Sequence, residues 1–471
     1  MASSQNEFGT KPIQPPSRRL TSPSTSKPLE IFTMIQFHSH RLLCLLMGFS
    51  CVLNFGCSDN NRHKDVGEKK APKASQSLPD DSESIEKLKA AGFQLTEDKN
   101  GLITAATINS DTDISESFRY LTGVPNLTSL GFSGPGINDQ GMEVLKKLTQ
   151  LVRLNLSDSA ISDATLAFLK PLQQLQVISL RRTAVTDDGL AMLCHLPRVR
   201  AIDLRNSNIA DAGMIHLGKL KSLTDLQLEK SKVTDAGIRE LAGLQLKGIN
   251  FNYCTTISDA SMKVLGSMPT LENIQLDYTK ITDVGMAEIK SLAKLKRLRI
   301  RGCDVTGQGI EHLKDLTNLQ RLELRDTSLD DTGLAVISNL PNVEFLDISE
   351  CRLVSSAGIK LIGKLTRLKL LGLWETELND DALNAMENLT VVEDLNLKAT
   401  AITDQCVNTL LKMKALKKLN LAGTNLTDEG FLPLAELPHL IELNVANTEI
   451  GYDVIDQLAE KEGLTVVEYE N

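Results

Sequence analysis

The sequence predicts an α/β repeat protein, in which one short strand and one short helix recur along most of the chain. A unit of about 24 residues recurs fifteen times, its first half alternates apolar and polar residues, and its second half places apolar residues three apart. Since one strand and a two-turn helix cannot bury their apolar faces alone, neighbouring units are expected to stack. The units start at residues 103, 127, 151, 175, 199, 223, 246, 271, 295, 319, 343, 368, 392, 416 and 440.

The two halves of the unit predict different elements. Residues 151–156 read L-V-R-L-N-L, and the same pattern returns at 319–324 and 416–421. Such alternation is typical of a strand with one buried face. The second half follows a Thr-Asp or Ser-Asp pair, which is typical of the start of a helix. We interpret the paired carboxylates Asp187 and Asp188 as helix-cap residues that suit the positive end of the helix.

The complete unit, L-x-x-L-x-L-x-x-T-x-I-T-D-x-G-L followed by spaced leucines, resembles that of leucine-rich-repeat proteins. Its T-D-x-G-L element is similar to the variant in F-box/LRR proteins and in bacterial exported LRR lipoproteins. The resemblance covers residues 103–469. It implies a horseshoe-shaped α/β solenoid, in which a parallel β-sheet lines the concave side and short helices cover the convex side. We assign the solenoid to residues 103–463.

Both ends of the solenoid are expected to carry caps that protect the open edges of the sheet. Residues 82–102 are the predicted N-terminal cap, because a helical segment ends at Gly92 and a strand turns at Asn100-Gly101. Residues 464–471 are the predicted C-terminal cap strand.

The N-terminal region predicts export. Residues 34–57 combine a short basic stretch with an apolar run of 14 residues over 42–55 and then Gly56-Cys57, which is the layout of an export signal. The ending resembles a bacterial lipoprotein signal with Cys57 as the lipidated residue. Leu53 lies four residues before the cysteine instead of the usual three, so an ordinary signal peptide or an uncleaved anchor is the alternative.

The segments on either side of this signal are polar. Residues 1–33 are rich in Ser, Pro and Thr, and we interpret them as a disordered extension upstream of the true start at Met34. Residues 58–81 are charged and contain proline, which predicts a flexible tether that holds a folded domain away from a membrane.

Composition and motifs argue against several classes of function. The 471 residues include 51 Lys and Arg and 60 Asp and Glu, a formal net charge of −9, which disfavours a general nucleic-acid binder. The sequence has no H-E-x-x-H, no G-x-S-x-G, no Walker motif and no dinucleotide-binding fingerprint. We therefore expect no enzyme activity, no cofactor and no metal site.

The cysteines of the repeats predict structural roles. Cys254, Cys303 and Cys351 each lie eight residues after a unit start, where most other units have Thr or Ser. A small side chain there can hydrogen-bond the turn backbone, so we expect these cysteines to replace threonine. Together with Cys194 and Cys406 they are expected to be free thiols.

The concave face carries the candidate binding residues. Positions two, four and six after each start point into the concavity, since side chains alternate along a strand. The units starting between 246 and 368 place aromatic and arginine side chains there, and Tyr253 and Tyr278 are neighbours at position seven. These residue types anchor binding surfaces. A self-neutralised charge ladder, in which Arg301 lies beside Asp277 and Arg299 beside Glu323, is the alternative interpretation. The candidate residues are Tyr253, Asp277, Tyr278, Arg297, Arg299, Arg301, Arg321, Arg325, Phe345 and Trp374.

The preferred functional hypothesis is a non-enzymatic recognition module that binds a protein or peptide of acidic character on its concave face. Export to the cell envelope or periplasm, with membrane anchoring through Cys57, is favoured over a cytoplasmic location. By analogy with F-box/LRR proteins, a substrate-receptor subunit of a ubiquitin ligase is one alternative. A structural cell-envelope protein without a specific ligand is the other.

Overall fold

The computed structural model describes residues 78–468, which belong to one compact unit. It confirms the predicted fold class, an open solenoid with a sheet on the concave side and short helices on the convex side. Seventeen strands follow one another in chain order, and every neighbouring pair is parallel except β1 with β2. The strands are β1 Gln94–Glu97, β2 Ile103–Asn109, β3 Ser129–Ser133, β4 Arg153–Asn155, β5 Val177–Ser179, β6 Ala201–Asp203, β7 Asp225–Gln227, β8 Gly248–Asn250, β9 Asn273–Gln275, β10 Arg297–Arg299, β11 Arg321–Glu323, β12 Phe345–Asp347, β13 Leu370–Gly372, β14 Asp394–Asn396, β15 Lys418–Asn420, β16 Glu442–Asn444 and β17 Thr465–Val467.

The helices are short because each has only the second half of a repeat to form in. The α-helices are α1 Ser82–Ala90, α2 Asp163–Leu166, α3 Asp187–Leu190, α4 Asp211–Leu217, α5 Asp235–Arg239, α6 Asp259–Gly266, α7 Asp283–Met286, α8 Gly307–Glu311, α9 Asp331–Ile337, α10 Ser356–Ile359, α11 Asp380–Asn384, α12 Val407–Lys412, α13 Asp428–Phe431 and α14 Tyr452–Ala459. Single 3-10 helices span Ser115–Gly123, Met142–Lys147, Ala191–His195, Ala287–Ile289, Lys360–Lys364, Asp404–Cys406 and Leu432–Glu436.

The core lies between the sheet and the helices and is built almost wholly of aliphatic side chains. In the repeat starting at residue 319, Leu322 and Leu324 come from the strand, Leu329 from the turn and Leu334 from the helix, and all four are buried. Each repeat adds the same layer, so the core runs continuously along the solenoid. The alternation predicted from the sequence therefore gives the correct strand register.

The N-terminal edge of the sheet is covered by α1 and the antiparallel strand β1. Asp81 caps α1 by accepting the backbone N–H of Ser84 at 3.0 Å. Phe93, Phe118 and Phe132 pack together beneath them, with ring centroids 4.7 to 6.5 Å apart. At the other end β17 pairs in parallel with β16.

The aspartate that recurs at the start of most repeat helices joins neighbouring repeats and does not cap its own helix. Asp211 accepts the Thr234 backbone N–H at 2.8 Å and the Thr234 hydroxyl at 2.6 Å, one repeat further on. The expectation that Asp187 and Asp188 are cap residues is wrong in this detail. Thr186 occupies the cap position, and the Asp187 carboxylate accepts the backbone N–H of Ala210 in the next repeat at 2.8 Å.

The aspartate of one repeat also explains why the next repeat has a glycine in the first turn of its helix. A Cβ atom at Gly213 would lie 2.5 Å from Oδ1 of Asp187, and one at Gly237 would lie 2.4 Å from Oδ1 of Asp211. Since real Cβ atoms do not approach that closely, glycine leaves room for the carboxylate in these repeats. In two other repeats Thr165 and Ser261 occupy the same position and donate their hydroxyls to Asp139 and Asp235. The backbone N–H of each helix-cap residue thus donates to the aspartate of the preceding repeat, and we call the series of these hydrogen bonds the aspartate ladder. It starts from Asp139, Asp163, Asp187, Asp211, Asp235, Asp259, Asp283, Asp331, Asp380, Asp404 and Asp428.

Three cysteines occupy the turn position, eight residues after the start of a repeat, where most other repeats have threonine or serine. Cys254, Cys303 and Cys351 are buried, and each thiol donates to a leucine carbonyl oxygen of the preceding repeat at 3.2 Å. The five cysteines within residues 78–468 are all free, and Cys194 alone among them is exposed.

Several predictions concern residues outside the described range. The extension 1–33, the export signal 34–57 with Cys57, most of the tether 58–81 and the last three residues lie there. Within the described range, the structure contains no helix with the length and apolar character needed to cross a membrane.

Candidate functional site

The concave face is set by the strand register of the repeats. Leu298 and Leu322 point into the core, so the residues on either side of each point outward from β10 and β11. Parallel pairing then aligns equal positions of neighbouring repeats into rows. One row runs Asn273, Arg297, Arg321, Phe345 and Leu370, and the next runs Gln275, Arg299, Glu323, Asp347 and Gly372.

Asp277 is the buried centre of the candidate site. Its side chain is 0% exposed, and Oδ2 accepts Nε of Arg299 at 2.6 Å and Nε of Arg301 at 2.8 Å. Oδ1 accepts the backbone N–H of Arg301 at 3.0 Å. Burial raises the pKa of the Asp277 carboxyl, and the Arg301 guanidinium opposes that shift. A carboxylate removed from water in this way is stable only because it is paired and hydrogen-bonded.

Glu323 repeats this arrangement one repeat beyond β10. Its side chain is 6% exposed, and Oε1 accepts a terminal nitrogen of Arg297 at 2.7 Å and Nε of Arg321 at 2.6 Å. Its other oxygen lies 3.5 Å from Nε of Arg299. We call Arg297, Arg299, Arg301 and Arg321 the arginine cluster, which the two buried carboxylates hold as one connected network.

The aromatic side chains beside the cluster are covered by cations. The Arg321 guanidinium lies 3.5 Å from the Phe345 ring centroid. Trp374 lies between Arg325 at 4.3 Å and Lys398 at 5.0 Å, and the buried Nε1 of its indole has no hydrogen-bond partner. Arg325 is held in turn by Glu350, with Nε to Oε1 at 2.7 Å. The cations therefore cover much of the ring surface that a partner could have contacted.

Tyr253 and Tyr278 form a stacked pair at the turn that follows the strands. Their ring centroids are 5.0 Å apart and their planes differ by 16°. Both have positive φ, 60° and 53°, a conformation that costs a bulky L-residue about 1–2 kcal/mol. A Cβ at Gly302 would lie 2.3 Å from the Tyr278 ring, so glycine is needed there for the ring to lie flat.

The structure brings the ten candidate residues onto one stretch of the concave face, from the repeat starting at 246 to the one starting at 368. Sequence reasoning placed Arg301 beside Asp277 and Arg299 beside Glu323, but Arg299 is held more closely by Asp277. It missed Glu350 and Lys398 as partners of Arg325 and Trp374. Row alignment alone places Lys398 next to Trp374, so the signal was present in the sequence.

A polar ladder occupies the concave face further toward the C-terminus. Asn396, Asn420 and Asn444 lie side by side, and each Oδ1 accepts the backbone N–H two residues later at 3.0 to 3.1 Å. These side-chain amides therefore hydrogen-bond the backbone just beyond the end of each strand. Nowhere between residues 78 and 468 do three or more His, Cys, Asp or Glu side chains form a group that could hold a metal ion.

A family model and the structure of an internalin agree with this architecture. Residues 413–435 match the model of a leucine-rich-repeat family. An internalin from Listeria monocytogenes superposes with a TM-score of 0.53 at 20% identity, covering 72% of this chain and 95% of its own. A leucine-rich-repeat protein from Leptospira interrogans gives a TM-score of 0.49 at 17% identity, covering 76% of this chain and 99% of its own. No protein of curated function matches the sequence.

Proposed function

Since the chain is a leucine-rich-repeat solenoid, we propose that it is a non-enzymatic recognition module that binds a protein or peptide partner on its concave face. The observation that carries this proposal is the concentration of Arg, Tyr, Phe and Trp side chains on one ordered stretch of that face, between Tyr253 and Trp374. These residue types supply most of the energy at protein interfaces. Their mutual contacts hold them in one geometry, which lowers the entropy lost on binding.

The proposed contact surface comprises Tyr253, Asp277, Tyr278, Arg297, Arg299, Arg301, Arg321, Arg325, Phe345 and Trp374. Within it Asp277 is fully buried and serves to position arginines, and Trp374 has the cations of Arg325 and Lys398 beside its ring. The arginines remain 20 to 38% exposed, so they are the groups that a partner meets first. A partner of acidic character fits this surface.

The proposal includes export and membrane attachment. The basic stretch, the apolar run and Gly56-Cys57 support an export signal with lipidation at Cys57, and residues 58–81 supply a polar tether. A solenoid held in this way would present its concave face at the envelope, in the periplasm or on the cell surface.

Site-specific photo-cross-linking in intact cells tests the proposal. A benzophenone amino acid replaces Tyr253, which is 38% exposed on the candidate surface, or Tyr452, which is 73% exposed in α14 and serves as the aromatic control. We expect one discrete cross-linked partner from position 253, suppressed by excess wild-type protein, and none of the same mass from position 452. Equal products from both positions would contradict recognition at this surface.

A structural envelope protein without a specific ligand is a second candidate, and the charge balance of the same stretch favours it. Five arginines there face five carboxylates, namely Asp277, Glu323, Asp326, Asp347 and Glu350. Such a balanced ladder keeps the face soluble without binding anything. Failure of position 253 to cross-link in cells would support this candidate.

A further inference from the structure

The arginine cluster holds more positive charge than its own partners neutralise. Asp277 and Glu323 are the two carboxylates in contact with Arg297, Arg299, Arg301 and Arg321, which leaves a formal charge of about +2. Arg299 and Arg301 share one oxygen of Asp277, and Arg297 and Arg321 share one oxygen of Glu323. The like charges are therefore close together, and each pair is only half compensated.

The other carboxylates of the stretch do not neutralise this excess positive charge. Oδ1 of Asp347 accepts the Ser349 backbone N–H at 3.1 Å and lies against Gly372, and within residues 78–468 Asp347 forms no ion pair with an arginine of the cluster. Glu350 is engaged by Arg325, and Asp326 lies at the turn beyond β11 without an ion pair to the cluster. The balance of five against five over the whole stretch thus conceals a local excess.

The excess positive charge lies at the surface, because the carboxylates are more deeply buried than the arginines. The two carboxylates are 0% and 6% exposed, whereas the arginines above them are 20 to 38% exposed. Arg299 and Arg321 donate to the carboxylates through Nε, and their terminal nitrogens have no hydrogen-bond partner among residues 78–468. Those nitrogens form the planar pair of donors that binds an oxyanion through two parallel hydrogen bonds.

We infer that the arginine cluster is an oxyanion-binding site that receives a side-chain carboxylate from an acidic segment of the partner. The inference rests on the proposed function and narrows it, because it assigns the main anchor to the cluster instead of to Trp374. A bound carboxylate reduces the excess charge and uses donors that are otherwise met only by water. Arg205 marks the contrast on the same face, since it has Asp203 as its own carboxylate at 2.7 Å.

Binding of a fluorescein-labelled hexaglutamate peptide to the full chain, followed by anisotropy at about 0.15 M salt, tests the inference. The double variant Arg299→Gln/Arg321→Gln leaves one arginine on each buried carboxylate, so that the charges balance and neither carboxylate is orphaned. We expect it to weaken hexaglutamate binding by about tenfold or more, as the loss of charge-assisted hydrogen bonds does. Arg205→Gln is the matched control and should leave the affinity within about twofold.

Two further arms use the wild-type chain, so the result does not depend on the folding of a variant. Hexaglutamine should bind at least tenfold more weakly than hexaglutamate, and equal affinity would overturn the inference. Inorganic phosphate should displace hexaglutamate only at much higher concentration, and displacement at equal concentration would assign the site to a free oxyanion instead.

The variant also separates this inference from the proposed function. If Arg299→Gln/Arg321→Gln binds hexaglutamate as the wild type does, the arginine cluster is not the anchor, whatever position 253 captures. If the photo-cross-link from position 253 persists in a variant that has lost hexaglutamate binding, the partner is recognised without a carboxylate in the cluster. That result would overturn the inference and leave the recognition module standing.

Discussion

At the residue scale, the cysteines show how burial makes a thiol less reactive. Burial raises the pKa of the Cys351 thiol to about 11, and it also raises the pKa of Cys254 and Cys303. A thiol with a raised pKa is almost wholly protonated at neutral pH, and the thiolate is the reactive form. The cysteines occupy the threonine position, but their thiols donate to a leucine carbonyl group of the preceding repeat, whereas Thr279 and Thr327 donate to one in their own repeat.

This predicts selective labelling of the native protein. Treatment with a maleimide at pH 7.5, followed by peptide mass spectrometry, should modify Cys194 within minutes and leave Cys254, Cys303, Cys351 and Cys406 unmodified. All five should react after unfolding in guanidinium chloride, which is the internal control. Fast labelling of Cys351 in the native protein would mean that the core beside β12 opens readily.

Residue rows could be predicted from the sequence, but the contacts made across them could not. The register follows from the alternation of the leucines, and it places Arg301 beside Asp277 and Tyr253 beside Tyr278 as expected. An arginine side chain is long enough to reach a carboxylate in its own row or in the next. Arg299 bonds Asp277 in the next row at 2.6 Å and lies 3.5 Å from Glu323 in its own row, which the row alignment does not specify.

At the element scale, the aspartate ladder explains the T-D-x-G motif more fully than helix capping does. The aspartate fixes the cap residue of the next repeat, and the glycine makes room for it. The ladder is interrupted at two positions where other repeats have aspartate, Ser356 and Gly307. A side chain at Gly307 would meet Asp330 of the next repeat. There Asp330 caps its own helix by accepting the Thr332 and Gly333 backbone N–H groups at 3.0 and 3.1 Å.

Restoring the ladder at this point is a two-residue change. A Cβ at Gly307 would lie 2.2 Å from Oδ1 of Asp330, so Gly307→Asp alone should destabilise the protein by about 1–3 kcal/mol through crowding and like charge. With Asp330→Thr, the new aspartate gains the hydroxyl and N–H that Asp211 gains from Thr234. The double variant should therefore be more stable than Asp330→Thr alone by about 1 kcal/mol.

A double-mutant cycle in urea measures the coupling between the two positions. A favourable coupling energy of about 1–3 kcal/mol is expected, because each change makes the other acceptable. Additive single effects would show that the ladder contacts contribute little to the free energy of unfolding.

The ladder also predicts how stability depends on pH. Desolvation raises the pKa of Asp235, but hydrogen bonds from Ser258 and Ser261 outweigh it and the pKa is lowered. A carboxyl whose pKa is lower in the folded state stabilises that state above its unfolded pKa of about 3.9, and the contribution is lost as pH falls through the folded value. The wild type should exceed Asp235→Asn in free energy of unfolding at pH 7, and the difference should shrink toward pH 3.

Asp188→Asn provides the control for this comparison, since Asp188 is exposed and its carboxylate makes no hydrogen bond within the described part of the chain. It removes a carboxylate without removing a ladder contact, so it measures the effect of the charge change alone. A flat difference for Asp235→Asn would contradict the assignment of the ladder as a charge-assisted contact.

At the scale of the whole molecule, the repeats contact only their neighbours in sequence, and this is why so much of the architecture was predictable. Fifteen copies of one pattern make the strand, the helix and the buried positions evident without any long-range contact. The breaks in the aspartate ladder at Gly307 and Ser356, and the cations beside Trp374, do not follow from the average repeat, although aligning neighbouring repeats position by position shows them. They depend on what one particular repeat places beside the next, which the average repeat does not contain.

The sequence before the repeats also predicts a membrane attachment, which the repeats do not need in order to fold. If residues 34–57 are a lipoprotein-type signal, the mature protein begins at a lipidated Cys57 and the polar tether separates the lipid from the solenoid. In a bacterial host the wild type should enter the detergent phase of a Triton X-114 extraction, and its intact mass should show loss of residues 1–56 with added acyl chains. Cys57→Ala should enter the aqueous phase or stay uncleaved.

Cys51→Ala is the matched control for that test, because it removes a thiol from the same apolar run without touching the cleavage site. It should partition as the wild type does. A single acyl chain binds a membrane only marginally, so full retention in the detergent phase requires the several chains of a lipoprotein anchor. A wild type that begins at Met1 and enters the aqueous phase would contradict both the signal and the anchor, while leaving the concave-face proposal to be tested by cross-linking.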